Sequence, residues 1–534
     1  MFRRSHRYSS AAFFMTAVLA PLAAQAQEPA APPGGAPPPG APPAAAAPPT
    51  ETLPPAPPPV ATPTPPPVAA PPAVAPTAPA PTNAAPATTE PQPPAAAEAP
   101  SDEPAVPFAF ADFGWMNGQS RQTEFPLAGK VIQPMFTIDA GYNYEFSHPR
   151  DHTIIGSTAA GRSNEFQIMH LGVGADFGYK NVRGRIMTQL GLYSTMTPRN
   201  DASPDRGQWN LRDAYKYITE GYGGYHFNVW NGINVDGGIF LSYVGLDSYY
   251  NYENWQDQAS YVSSNTPWFF DGIRIQTFPS DKLKIEYWII NGWQSYGMFN
   301  EQPGFGVQSY WRPNGNVGVV LSGYFGKDAM GVPDRVRFHT DNSLLVKYVD
   351  NAGGDSFLSK AAFSLTVDAG CENGGGNGYT HVSCGGGSET KPDQAFLGAM
   401  LYNRLWFDDN HFGFTFGGGV MTNPGRYLVL TPPINGATAY TLSPYFTQNP
   451  GDKFKAWDTT ETLDWMPSQF YTLRMEYTHR QASVPYFAGP NGVTPAVAPG
   501  VYSNVGAPGS AVPGFTPDLQ KGENRITMNF LVRL

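Results

Sequence analysis

The sequence predicts an all-β protein, a transmembrane antiparallel up-and-down β-barrel of about 16 strands, preceded by a signal peptide and a Pro/Ala-rich disordered segment. Three observations support this fold class. Apolar and polar residues alternate with a period of two from Lys130 onward, long and short connections alternate along the chain, and no stretch after the N-terminus is as apolar as a membrane helix. We expect four regions: a signal peptide (1–26), a Pro/Ala-rich disordered linker (27–107), a pre-barrel segment (108–129) and the barrel (130–534).

The first residues have the layout of an export signal. Arg3, Arg4 and Arg7 precede an apolar run that ends at Ala24. Small residues at Ala24 and Ala26 then form a cleavage site, so we expect cleavage between Ala26 and Gln27. An uncleaved anchor is the alternative, but the apolar run is short and Pro21 interrupts it.

Residues 27–107 are mostly Pro and Ala, with runs such as PPAPPPVATPTPPPVAAPP. Such a composition cannot bury a core and favours extended polyproline II. The segment is therefore a disordered spacer, or alternatively a semi-rigid strut that holds the rest of the chain at a distance from the cell wall.

The alternation is clearest in the first and last predicted strands. In the first, Ile132, Phe136 and Tyr142 share one face, while Asp139 and Glu145 share the other. Residues 471–480 and 525–534 repeat the pattern. A strict period of two indicates half-buried strands, which a soluble sandwich would also show.

The spacing of the strands separates these two alternatives. We predict strands at 130–147, 165–180, 182–195, 208–228, 232–245, 267–279, 282–294, 304–312, 317–327, 337–350, 357–371, 393–407, 411–423, 454–465, 470–486 and 524–534. Connections after odd strands are mostly long, such as 246–266 and 487–523, and those after even strands are short turns. This segregation is typical of a bacterial outer-membrane barrel with both termini in the periplasm. Eight Trp residues near strand ends fit the aromatic girdles of such a barrel: Trp230, Trp268, Trp288, Trp293, Trp311, Trp406, Trp457 and Trp465.

The charge of the chain argues against binding nucleic acid. Of its 33 basic and 43 acidic residues, three and six respectively precede Phe108, which leaves the rest with 30 basic, 37 acidic and a net charge of −7. A nucleic-acid partner would require a basic face. We expect no catalytic, metal or cofactor site, because the phosphate-loop, nucleophile-elbow and dinucleotide patterns are all missing from the sequence. His170, His226, His339 and His479 lie in four different predicted strands, without a Ser or acid at fixed spacing, and are interpreted as pore-lining or interface residues, with an active site as the alternative.

The two cysteines, Cys371 and Cys384, lie in the stretch CENGGGNGYTHVSC. In an oxidising compartment they are expected to form a disulfide, which in the chain-entropy model stabilises by about 3 kcal/mol. A metal site that also uses His381 is the alternative, although its spacing matches no strong zinc pattern.

If the apolar faces contact lipid, charged residues of both signs line the interior. The predicted pore-lining residues are Asp139, Glu145, Asp176, Arg183, Arg185, Arg274, Lys284, Glu286, Arg404, Arg474, Glu476, Arg480, Arg525 and Arg533. Charges of both signs set up a field that orients small hydrated solutes and tunes ion preference. Solvated wall residues with no special role are the alternative for most of them.

The chain resembles the OmpL-like β-barrel porins of Gram-negative bacteria from about residue 110 to 534. The matching stretches are DFGWMNGQSRQTEFP, RGQWNLRDAYKYITEGYGGYHFN, NTPWFFDGIRIQTFPSDKLKIEYWIINGWQSYG, FLGAMLYNRLWF, NPGRYLVLTPPINGATA and PGFTPDLQKGENRI. The resemblance implies an outer-membrane location and a channel role. It transfers no functional residues.

A barrel of about sixteen strands is wide enough for an aqueous channel unless a loop folds inward. We therefore expect an outer-membrane porin-like channel for passive diffusion of small hydrophilic solutes or ions, with no cofactor and no enzymatic activity. One alternative is a structural outer-membrane anchor that contacts peptidoglycan through the Pro/Ala segment, and another is a surface receptor that uses the long loops. Expected partners are outer-membrane lipid, the barrel-assembly machinery, the solutes or ions, and further copies of the chain in a homotrimer.

Overall fold

The computed structural model describes residues 106–351, 353–375, 381–388, 393–425, 427, 453–502, 515 and 517–534. The expected signal peptide, its cleavage site at Ala26 and Gln27, and the Pro/Ala segment up to residue 105 lie outside this part of the chain. Among the described residues, no helix is long and apolar enough to cross a membrane.

Sixteen antiparallel strands form a closed barrel, as the sequence predicts. They are β1 (Ile132–Glu145), β2 (Phe166–Tyr179), β3 (Val182–Thr188), β4 (Ile218–Phe227), β5 (Ile233–Leu241), β6 (Phe269–Ser280), β7 (Leu283–Ile290), β8 (Gly304–Asn314), β9 (Val317–Gly326), β10 (Val336–Asp350), β11 (Leu358–Asn373), β12 (Ala395–Phe407), β13 (Phe412–Asn423), β14 (Phe454–Ser468), β15 (Tyr471–Ala482) and β20 (Gly522–Arg533). Each pairs with its neighbour in sequence, except that two short hairpins, β16 (Phe487–Ala488) with β19 (Leu519–Gln520) and β17 (Ala496–Ala498) with β18 (Val501–Tyr502), intervene before β20.

The first and last strands close the barrel. β1 pairs with β20 in a continuous register from Thr137 opposite Arg533 to Glu145 opposite Arg525. Closure pairs the backbone of every strand with two neighbours, which is the condition for β-structure in lipid, where no water can satisfy a free edge.

The alternation decides which side chains face lipid. Large apolar residues on the outer face remain exposed, for example Ile132 at 42% and Tyr142 at 40%. Asp139 and Glu145, on the opposite face of the same strand, are buried inside. The outer face thus offers apolar groups to acyl chains, and the polar groups meet one another in the interior.

Two strands are only about half as long as the sequence predicts. The predicted strand 182–195 ends at Thr188, and the predicted strand 208–228 begins only at Ile218. Two short helices take the remaining residues, α1 (Tyr193–Met196) and α2 (Leu211–Tyr215). Asn210 caps α2 by accepting a hydrogen bond from the backbone N–H of Asp213, at 3.1 Å. Local capping of this kind competes with strand pairing, and here it prevails.

The girdle assignment is correct for only half of the tryptophans. Trp230, Trp311, Trp457 and Trp465 are exposed on the outer face, but Trp268, Trp288, Trp293 and Trp406 are buried. The buried four belong to apolar clusters in the interior, which exist because loops enter the barrel and cover them.

The barrel has two distinct ends. The end that carries β1's first residue, β20's last residue and the short turns is called the turn end here. The other, called the loop end, carries the long connections.

Candidate functional site in the barrel interior

The connection between β5 and β6, residues 242–268, folds into the barrel and is called the inner loop. Its residues contact strands on the far side of the ring, including β12, β14 and β15. Such contacts are possible only across the interior. The sequence predicts a long connection here, but its inward course was not predicted.

Five arginines of the barrel wall bind the inner loop. Arg404 donates to the carbonyl of Trp255 at 2.8 Å, and Arg474 donates to the carbonyl of Asn254 at 2.7 Å. The remaining contacts are Arg480 to the Ala259 carbonyl at 2.7 Å, Arg525 to Gln258 at 2.5 Å, and Arg533 to Glu253 at 2.7 Å. The planar guanidinium carries several donors in a fixed geometry, so one arginine can hold two partners at once.

Wall carboxylates bind the backbone N–H groups of the same loop. Glu476 accepts from Asp257 and Gln258 at 2.6 and 2.7 Å, and Asp458 accepts from Tyr261 at 2.6 Å. Irregular backbone inside a barrel needs such partners, because its polar groups are removed from water. The inner loop is therefore fixed by charge-assisted hydrogen bonds to both its carbonyls and its amides.

Two of these arginines share one carboxylate. Asp464 on β14 accepts from Arg404 at 2.7 Å and from Arg474 at 2.8 and 3.0 Å. All three side chains are at most 4% exposed. Asp464 is the carboxylate that both guanidiniums contact, so removing it leaves two buried positive charges without their shared counter-ion.

The pre-barrel segment also enters the interior. Residues 106–124, called the strap, run across the turn end, and Trp115, Met116 and Asn117 are each 1% exposed. Burial lowers the pKa of Arg121 in the strap to about 10. Burial also raises the pKa of Asp247 in the inner loop, while hydrogen bonds from its neighbours oppose the shift.

The wall formed by β2–β7 differs from the wall beneath the inner loop. Its charged side chains keep partial exposure: Asp176 37%, Arg183 30%, Arg185 23%, Lys284 21% and Arg274 13%. Their remaining acidic partners, Glu220, Asp236 and Glu286, are only 7%, 0% and 4% exposed. The acids thus lie deeper in the wall, and the groups that reach solvent are mainly basic.

Ion pairs order this second wall. Arg185 contacts Asp176 at 2.5 Å and Glu220 at 3.0 Å. Asp236 is shared by Arg183 at 3.4 Å and Arg274 at 2.8 Å. The guanidinium of Arg274 also lies 4.5 Å from the Phe240 ring centroid, a cation–π distance that fixes its position further.

The fourteen predicted pore-lining residues therefore fall into two groups. Eight are buried or nearly so: Asp139, Arg404, Arg474, Glu476, Arg480, Arg525 and Arg533 contact the inner loop, and Glu145 contacts Ser147 at the loop end. The other six, Asp176, Arg183, Arg185, Arg274, Lys284 and Glu286, belong to the β2–β7 wall. Sequence reasoning missed Asp458 and Asp464. The alternation Asp458-Thr460-Thr462-Asp464 in β14 is the signal that could have found them.

The two cysteines form a disulfide, and two histidines of the barrel wall have polar partners. Cys371 and Cys384 form a disulfide with a Cα–Cα distance of 5.2 Å, as the sequence predicts, so the alternative metal site with His381 is ruled out. Among the described residues, no group of three or more His, Cys, Asp or Glu side chains could hold a metal ion. His339 pairs with Asp368 at 2.6 Å, and His226 pairs with Asn234 at 2.8 Å.

A closed sixteen-stranded barrel with a lipid-facing apolar surface and a charged interior is the architecture of an outer-membrane channel of the porin class. Residues 137–501 match the family described as "Putative beta-barrel porin-2, OmpL-like". The chain belongs to this family, is located in the outer membrane and has a channel function. No curated protein matches the sequence.

The solved structures to which this chain is similar include the following three. The outer membrane channel DcaP of Acinetobacter baumannii has 9% identity, with 76% of this chain and 97% of that chain covered and a TM-score of 0.42. The anion-selective porin from Comamonas acidovorans has 10% identity, coverages of 76% and 99%, and a TM-score of 0.40. OprB of Pseudomonas putida has 11% identity, coverages of 76% and 93%, and a TM-score of 0.41.

Proposed function

We propose that small hydrophilic solutes or ions diffuse passively along the β2–β7 wall, with a weak preference for anions. The observation that supports this proposal is the difference in side-chain exposure between the β2–β7 wall and the wall beneath the inner loop. Arg474 and Arg480 beneath the inner loop are 2% and 0% exposed, whereas Arg183 and Arg185 opposite are 30% and 23% exposed in their side chains. Hydrated solutes require wet polar surface, and the β2–β7 wall has it.

The sign of the preference follows from which charges reach solvent. Arg183, Arg185 and Lys284 are accessible. Among their acidic partners Asp176 is also accessible, but Asp236, Glu220 and Glu286 lie deeper, so the accessible charges of the wall are mainly basic. A mobile ion responds most to charges within the Debye length, about 8 Å at physiological salt. The wall therefore attracts anions, although the chain as a whole is acidic.

Removing two of these charges tests the proposal. We expect Arg183→Ser with Lys284→Ser to shift the reversal potential in a salt gradient toward cation preference. One charge about 8 Å away in water contributes about 0.5 kcal/mol, or roughly a twofold change in the permeability ratio per charge. Single-channel recording in planar bilayers measures this shift.

The control removes one positive charge outside the interior. Lys180 lies in the β2–β3 turn, exposed at the turn end, so Lys180→Ser should leave the reversal potential unchanged. An equal shift in the control, or none in the double variant, would contradict the proposed path. Absence of conductance from the wild-type protein would contradict the channel itself.

We also propose that the turn end faces the periplasm, which places both barrel termini there. Short turns on the side of the termini are typical of outer-membrane barrels. On this orientation the disulfide between Cys371, near the loop end of β11, and Cys384, in the connection that follows, lies outside the cell. The homotrimer, the barrel-assembly machinery and the contact with peptidoglycan stay predictions, as do the anchor and receptor alternatives.

Thiol labelling of intact cells tests this orientation. We expect a membrane-impermeant maleimide to label the protein only after reduction, because both thiols are otherwise in the disulfide. A Cys371→Ser, Cys384→Ser variant is the control and should not be labelled. Labelling of the reduced wild type only after the outer membrane is permeabilised would reverse the proposed topology.

A further inference from the structure

The strap crosses the mouth of the barrel from one side to the other. At one side the N–H of Phe108 donates to the carbonyl of Asp281, between β6 and β7, at 2.7 Å. At the other, Arg121 donates to the carbonyl of Tyr471, at the start of β15, at 2.8 Å. These anchors are about half of the sixteen-stranded ring apart, so the strap spans the opening.

Within the barrel the strap interlocks with the inner loop. Asn117 donates to Asp247 at 2.7 Å and accepts from the backbone N–H of Trp255 at 2.8 Å. The Trp255 ring N–H donates to the carbonyl of Trp115 at 3.0 Å. Gly118 packs so closely that an added Cβ would clash with the carbonyl of Leu246. Asn117 thus holds two separate points of the inner loop through one side chain.

Beyond the diffusion path, we infer that the strap is a closure element and that Asn117 is the positioning residue that holds the inner loop across the interior. The strap fixes the loop at the turn end, because both N–H groups of Trp255 donate to it and Asp247 accepts from it in addition to Gln256. Releasing this contact lets the loop move and raises the open fraction of the channel. The inference rests on the proposed channel function.

A charge substitution and its compensating partner test the interlock in the full chain. In mildly alkaline buffer, Asn117→Asp places a carboxylate against the Asp247 carboxylate and removes the donor between them. We expect about a tenfold rise in the ratio of open to closed dwell time, the factor that losing one hydrogen bond to a charged group gives. The double variant Asn117→Asp, Asp247→Asn restores one donor and one acceptor, and should return the ratio to the wild-type value.

Two further variants complete the design. Phe110→Ala removes an exposed strap side chain whose ring packs on Phe113 and lies beneath Lys282, and it should conduct like the wild type. Gly118→Ala tests the interlock by steric pressure if Asn117→Asp does not assemble, and it should also raise the open fraction.

The outcomes distinguish the closure role of the strap from the channel function of the barrel. A folded Asn117→Asp or Gly118→Ala protein with wild-type dwell times would overturn the closure role. A double variant as open as Asn117→Asp would overturn the assignment to the Asn117–Asp247 contact. A silent wild-type protein would instead refute the proposed function. Retained SDS resistance before boiling verifies folding in every case.

Discussion

Replacing Asp464 by alanine is expected to lower the free energy of unfolding by about 3–5 kcal/mol. Asp464 accepts three hydrogen bonds from Arg404 and Arg474, and all three side chains are almost completely buried. Without the carboxylate, two positive charges face each other in a dry environment. Denaturant titration of the detergent-solubilised or bilayer-reconstituted protein measures the loss.

Two controls separate charge from packing in this prediction. Asp355 lies exposed in the connection between β10 and β11, so Asp355→Ala should change stability by no more than about 0.5 kcal/mol. The triple variant Arg404→Met, Asp464→Leu, Arg474→Met removes every charge of the triad and should recover part of the loss. Recovery stays incomplete because the carbonyl of Asn254 loses its donor and that of Trp255 keeps only the Thr415 hydroxyl. A stability equal to that of the wild type in Asp464→Ala would contradict the structural role of the triad.

The barrel itself could be predicted from the sequence because its physics is local. Side chains at alternate positions of a strand face lipid or the interior, so the sequence of a strand alternates between apolar and polar residues. In β1, for example, Ile132 and Tyr142 face outward, and Asp139 and Glu145 face inward. The number of strands follows from the same pattern together with the turns. The shortened β3 and β4 show where this pattern fails to predict strand length. A helix cap such as Asn210 acts over only three residues and does not change the alternation of apolar and polar residues.

The interior could not be predicted to the same depth because burial there depends on contacts distant in sequence. The period correctly places Arg474 and Arg480 on the inner face, but what covers them is the inner loop, more than 200 residues earlier. The inner loop has no repeating pattern, and its many Asn, Gln, Ser and Tyr residues would also suit an exposed loop. The same physics explains Trp288 and Trp406, which look like girdle residues until the covering segments are known.

Closure of the barrel at β1 and β20 provides the second large effect. Gly141 lies opposite Asn529 in this seam, and its missing side chain leaves room for the partner strand. An added Cβ would clash with the carbonyl of Met528 and would approach the Cα of Asn529 to 2.8 Å. Backbone cannot rotate away as a flexible side chain can, so the seam would have to widen and its hydrogen bonds lengthen.

We expect Gly141→Leu to destabilise the barrel by about 3 kcal/mol, the upper part of the usual range for overpacking, and to reduce the SDS-resistant fraction before boiling. Because the clash begins at Cβ, Gly141→Ala should already show most of the effect.

Gly223 on β4 is the matched control, since no heavy atom lies within 4 Å of its added Cβ and the residue lies on the lipid-facing side, where leucine is favourable. Gly223→Leu should therefore assemble as the wild type does. A harmless Gly141→Ala beside a damaging Gly141→Leu would show that only the distal leucine atoms collide and that the seam itself tolerates a side chain. If both Gly141 variants kept full SDS resistance, close approach of the backbones at Gly141 would not be what sets the closing register.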